Sequence, residues 1–131
     1  MLNKLRVLII LTLICFQFIT PAFAIDYTAD QLYKDCLKNL DANNNIQITV
    51  NEQFEAGFCV GYIKGLDDML SIHYSMTKSK SKKIWLYCLP DNTSLNDMSA
   101  AFVDYMKNHP EQGNDYAGTV LIKALMDKFH C

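Results

Sequence analysis

Four cysteines, Cys36, Cys59, Cys88 and Cys131, follow a stretch with the pattern of an export leader, and together these features constrain the fold more than anything else in the chain. Lys4 and Arg6 supply a basic start, Val7 to Ile19 an apolar run, and Ala22-Phe23-Ala24 a small-x-small cleavage site after Pro21. The run is shorter than the roughly 20 apolar residues needed to cross a bilayer. Ile14 stands where lipoprotein processing at Cys15 needs a small residue. Residues 1–24 are therefore expected to be a signal peptide and 25–131 the mature domain. Loss of Cys15 leaves an even number of cysteines in an oxidising compartment, which reads as two disulfides. No two of them form a C-x-x-C pair, so no metal site is expected.

Between the cysteines the apolar residues recur at helical spacing. Thr28 and Gln31 have the spacing of a capping box, and a first helix is predicted over about 29–40, with Leu32, Tyr33, Cys36, Leu37 and Leu40 on one side. Asp41 to Asn45 should end it, because short polar side chains compete for their own backbone. Thr49 and Glu52 make a second capping box for a helix over about 50–74, with Phe54, Phe58, Tyr62, Leu66, Met69 and Leu70 as its apolar positions. Ser75 to Lys83 reads as an exposed connection, and Ile84 to Cys88 as an extended segment or last turn laid on the core. Ser94 and Asp97 start a third helix whose buried stripe is Leu95, Met98, Phe102, Tyr105 and Met106, and Pro110 ends it. After a polar turn, Asn114 or Asp115 is expected to cap a fourth helix with Ala117, Val120, Leu121, Ala124, Leu125 and Phe129 on its apolar face.

The second helix carries Gly57, Gly61 and Gly65, one every fourth residue. Glycine costs about 1 kcal/mol against alanine in a helix interior, so three on one face need a compensating role. The expected role is close helix packing inside the domain, with the seam of a homodimer as the other use.

Four amphipathic helices without a strand pattern predict an all-α fold, a small four-helix bundle of two helical hairpins stapled by two disulfides. The first hairpin brings Cys36, near the end of one helix, beside Cys59, near the start of the next. The second places Cys88, before its first helix, near Cys131, after its last. The predicted pairs are Cys36–Cys59 and Cys88–Cys131.

The formal charge of −2 becomes more negative once Lys4 and Arg6 leave, and the remaining basic residues are all lysines. That is not the footprint of a nucleic-acid binder. Paired cysteines leave no thiolate for nucleophilic catalysis, and His73, His109 and His130 have no partner arrangement in the sequence that suggests acid–base work. Asp67 and Asp68 are neighbours of the kind found on a solvated helix face. Neither an enzyme nor a cofactor is expected, nor any contact with a membrane after leader cleavage.

The ordered set Cys59-Val-Gly-Tyr-Ile-Lys-Gly65, Asp68, Cys88-Leu-Pro90, Tyr105-Met-Lys-Asn-His-Pro-Glu111 and Phe129-His-Cys131 resembles the Rap/Tai family of immunity proteins. Two features depart from the family pattern: His130 stands where a proline usually precedes the last cysteine, and a lysine-rich insert precedes Cys88. The resemblance implies a small exported helical protein that neutralises a peptidoglycan amidase delivered by type VI secretion, working in the periplasm and able to form a homodimer. A stapled scaffold suits inhibition, since a rigid loop avoids an ordering cost on binding. Two loops are candidates for plugging the amidase cleft: Glu111, Gln112, Asn114 and Asp115, the preferred one, and the segment with Lys78, Lys80 and Lys82. The alternative expectation is a periplasmic chaperone-like protein that shields unfolded clients at low pH.

Overall fold

A computed structural model describes residues 27–76 and 86–131; Lys78, Lys80 and Lys82 lie outside the described residues. Four α-helices follow one another, α1 (Ala29–Asn43), α2 (Val50–Met76), α3 (Leu95–Asn108) and α4 (Ala117–Lys128), with a 3-10 turn at Pro110–Gln112 and no strand among the described residues. Both predicted capping boxes form, and Ser94 with Asp97, expected only to start the third helix, makes another. Gln31 donates its main-chain N–H to the Thr28 hydroxyl and Thr28 donates to the Gln31 side chain at 2.9 Å. The same reciprocal pair links Thr49 with Glu52 at 2.8 and 3.3 Å. It links Ser94 with Asp97 at 2.8 and 3.2 Å.

α1 runs a turn further than expected, through Asn43. The Asn44 N–H bonds back to Leu40 and Asp41, and Asn45 takes the left-handed conformation at φ 58° that ends the helix. Glu52 also binds Lys38 at 2.7 Å, which ties the start of α2 to α1. That contact and the Thr49 hydrogen bonds hold its carboxyl well down, from 4.5 to about 2.

α1, α2, α3 and α4 close around one core in which Leu32, Ile63, Met98, Phe102, Val103, Val120, Leu121 and Leu125 are fully buried. The predicted stripes of α3 and α4 are the ones that pack, with Leu95, Tyr105 and Phe129 at their half-buried edges. α2 differs from expectation in part: Tyr62, Leu66 and Leu70 pack against the core as predicted, but Phe54, Phe58 and Met69 do not. Its buried residues are Ala56, Cys59 and Ile63, while Phe54 is 76% exposed and Phe58 and Met69 also face outward. The helix has apolar residues all round, and the smaller ones turn inward, where they allow α1 and α3 to come close.

Both disulfides form as the hairpin argument required, Cys36–Cys59 at the buried contact of α1 with α2 and Cys88–Cys131 joining the segment before α3 to the end of α4. The Cys88 N–H donates to the Phe129 carbonyl at 2.7 Å, which lays the extended 86–90 segment against the last turn of α4, with Tyr87 buried. Beside the inner disulfide, buried Asn39 donates to Asn96 at 3.0 Å and to the Ser99 hydroxyl at 3.2 Å, and Ser99 donates to the Leu95 carbonyl at 2.9 Å. This chain of partners lets polar side chains sit in the core without the penalty of an unmade hydrogen bond.

Candidate functional site

The turn between α3 and α4 is held from both sides. The first amides of a helix have no partner within it. In α1 they are taken by the turn: Ala29 donates to the Asp115 carbonyl and Asp30 to the Gly113 carbonyl, both at 2.9 Å. In exchange the first amide of α4, on Ala117, donates to the Tyr27 carbonyl at 3.0 Å. Two helix starts thus cap each other through main chain, around an isolated bridge of Thr28 with Tyr116. The expected side-chain cap from Asn114 or Asp115 is not made; Tyr116 is the N-cap, with no side-chain capping hydrogen bond. At Gly113 a Cβ would stand 3.3 Å from the Pro110 carbonyl and 3.4 Å from Asp30 Cβ, so a close approach of the two segments explains that glycine.

Side chains finish the fastening. The His109 ring lies 4.3 Å from the Tyr105 ring, centroid to centroid, and its Nδ1 is 3.3 Å from Glu111. Gln112 donates to the Tyr105 hydroxyl at 3.2 Å and accepts from Lys123 at 2.8 Å. Of the predicted contact residues in this turn, Gln112 is therefore committed to the scaffold, whereas Glu111, Asn114 and Asp115 are exposed beside Tyr116. The carboxyl of Glu111 is held below its ordinary range by its own main-chain amide first, with His109 adding to the effect, so it presents a charge to solvent. Tyr27, Thr28, Asn114, Asp115 and Tyr116 line a shallow pocket of about 230 Å³ there.

The expected burial of the glycine face within the chain is not observed. Gly57, Gly61 and Gly65 are exposed, and a Cβ built on any of them would meet nothing within 4 Å. They lie on the side of α2 opposite Cys59 and Ile63, in line with exposed Val50, Phe54, Ile72 and Met76. A band of aromatic rings separates this face from the turn: Tyr27 packs on Phe58 at 5.0 Å and on Tyr62 at 5.4 Å.

Asp67 and Asp68 do not act as a pair. Asp67 accepts from the Tyr87 hydroxyl at 3.0 Å, beside a cleft of about 390 Å³ that Leu70, Tyr74 and Leu86 also line, and Asp68 is bound by Lys64. Burial first, and then the Asp67 charge, push the Tyr87 phenol up, so it remains a neutral donor. Every cysteine among the described residues is in a disulfide. No group of His, Cys, Asp and Glu that could hold a metal ion occurs among the described residues.

The result is a helical domain closed by two disulfides with an ordered turn presented to solvent. The family model of the Rap1a immunity proteins matches residues 28–131. The chain belongs to that family. The match takes in all four helices and both disulfides, and it confirms the resemblance drawn from the cysteine, glycine and His-Pro-Glu motifs. Searches of curated proteins and of solved structures each returned no match. As a member of the Rap1a immunity family the protein has an effector protein as its partner, and no helix among the described residues is long and apolar enough to cross a membrane.

Proposed function

We propose that this protein is exported with removal of residues 1–24, resides in the periplasm as a homodimer, and blocks a peptidoglycan amidase delivered by type VI secretion. The block is steric: the Glu111–Tyr116 turn enters the amidase cleft and keeps peptidoglycan out. The observation that carries this reading is the reciprocal main-chain capping of α1 and α4, which fixes the turn before any partner arrives. An inhibitor built this way loses little conformational entropy on binding.

Candidate amidases expressed in the periplasm with and without this protein test it. Protection from lysis by one amidase, a stable complex with it, and loss of both in Glu111→Lys/Asp115→Lys with the fold retained are the expected results. Failure of every amidase to bind, or full protection by the double variant, refutes the reading. One observation favours the chaperone alternative: the outer face of α2 exposes large apolar side chains. Suppression of the aggregation of generic clients at acid pH, without protection against any amidase, would establish that alternative instead.

A further inference from the structure

The start of α4 lacks the cap that a helix usually takes from the residue before it, and another helix supplies one. We infer that Tyr62, on α2, is a positioning residue of the Glu111–Tyr116 turn: its hydroxyl takes the Gly118 amide, which holds the start of α4 and leaves the Asn114 and Asp115 side chains to a partner. This rests on the reading of that turn as the inhibitory element and assigns the residue that keeps it in shape.

The first four amides of a helix have no acceptor within it, and the side-chain oxygen of an N-cap residue commonly takes one of them. Tyr116 makes no such bond in α4, and the exposed Asn114 and Asp115 do not replace it. All four donors are nevertheless taken. Ala117 donates to the Tyr27 carbonyl at 3.0 Å, and Thr119 and Val120 both donate to the Tyr116 carbonyl, at 3.0 and 3.2 Å. The remaining N–H, on Gly118, goes to the Tyr62 hydroxyl. That hydroxyl stands 3.3 Å from where a Cβ on Gly118 would be, so the absence of a side chain there is what admits it.

Two consecutive donors of α4 thus end on two tyrosines whose rings pack together at 5.4 Å. Tyr27 is itself fixed, since its hydroxyl donates to Asp35 on α1. Phe58 backs both rings, at 5.0 Å from Tyr27 and 6.3 Å from Tyr62. Burial pushes the Tyr62 phenol up and the Gly118 N–H works against that, so the accepting oxygen keeps its proton at neutral pH. A cap delivered from α2 has a consequence for recognition. An Asp or Asn that caps a helix spends its side-chain oxygen on the helix amides. With Tyr62 in that role, Asn114 and Asp115 stay exposed beside Glu111 and remain available to a partner.

Amide exchange followed by NMR on the purified protein, with both disulfides intact, tests the positioning. Tyr62→Phe keeps the ring and removes only the acceptor. The Gly118 amide should then exchange faster, by about fivefold more than the core amides of Phe102 and Leu121, which follow global stability. Gly118→Ala, whose methyl displaces the hydroxyl, should speed exchange at position 118 in the same way, and adding it to Tyr62→Phe should speed nothing further. Against the amidase that the wild type blocks, each single variant should bind about five- to tenfold more weakly with unchanged far-UV circular dichroism, because fewer molecules hold the competent turn. Equal changes at position 118 and in the core, or additive effects of the two substitutions, would make Tyr62 an ordinary packing residue and overturn the proposal. Full amidase affinity in a variant whose turn has loosened would overturn it too, and would leave the inhibitory reading standing. Failure of the wild type to bind any amidase would overturn the inhibitory reading and with it the role assigned to Tyr62, whatever the exchange rates.

Discussion

Replacing Gly57, Gly61 and Gly65 together with alanine should stabilise the folded monomer. All three lie within α2, none has a positive φ, and a Cβ at each meets nothing within 4 Å. Alanine therefore gains its full helix propensity, about 0.8–1.0 kcal/mol per site, with no steric penalty. The sites share no partners, so the effects should add to about 2.5 kcal/mol. At about 4 °C or more per kcal/mol for a domain of this size, Tm should rise by roughly 10 °C. The assay is urea unfolding followed by circular dichroism, at protein concentrations low enough to separate the copies. An unchanged slope and a higher midpoint are expected. A lower midpoint in the dilute protein would refute the reasoning, because it would mean that part of this chain packs against the glycine face.

The two disulfides should differ in how readily they are reduced. Cys88 and Cys131 are exposed and Cys36 and Cys59 fully buried, so mild dithiothreitol followed by alkylation and mass analysis should show the Cys88–Cys131 pair opening first. Replacing either pair with alanine should cost about 3–4 kcal/mol from loop-closure entropy, read by urea unfolding. Phe102→Ala empties the centre of the core, where Phe102 is fully buried, and should cost about 3–5 kcal/mol in the same assay. Acid should destabilise the fold through Glu52 and Asp97. Lys38 chiefly lowers the Glu52 carboxyl from 4.5 to about 2, and the Ser94 cap lowers Asp97, so both groups favour the folded state above their ordinary values. That contribution should be intact at neutral pH and fall away as pH drops from about 4.5 toward 2, with a shallower decline in Glu52→Gln when the urea midpoint is followed across pH.

Features encoded by neighbouring residues were legible in the sequence. The two predicted capping boxes and the Ser94–Asp97 helix start each join residues three apart, and all three sets of bonds form. The disulfide pairing followed from the order of the hairpins, because two antiparallel pairs leave each cysteine close to one other. The packing face of α2 was legible only in part, since Tyr62, Leu66 and Leu70 pack on the core as their spacing predicts. With Phe54, Phe58 and Met69 on one side and Ala56, Cys59 and Ile63 on the other, periodicity marks two apolar faces and does not say which one meets the bundle. Close approach of α1 and α3 selects the smaller residues, and that choice belongs to tertiary structure. The capping of α1 by the 113–115 carbonyls was hidden for another reason: a main-chain bond leaves no side-chain signature, and only Gly113 marks the place.

The inner disulfide and the glycine face belong to one helix and oppose each other in energy as well as in direction. Cys59 anchors α2 to α1 on the buried side, and closing that loop is worth about 3.4 kcal/mol on the chain-entropy estimate. The three glycines on the outer side cost about 2.5 kcal/mol relative to alanine. The staple thus offsets a helix made intrinsically weak by keeping its outer surface flat. Combining Cys36→Ala/Cys59→Ala with the three glycine replacements should therefore recover about 2.5 kcal/mol of the stability lost with the disulfide, because the two sets of sites lie on opposite faces and should act independently to within about 0.5 kcal/mol. Urea unfolding of the four proteins in this cycle gives the coupling directly. If the glycine replacements recovered nothing once the disulfide was gone, the weakness of α2 would not lie in its glycines.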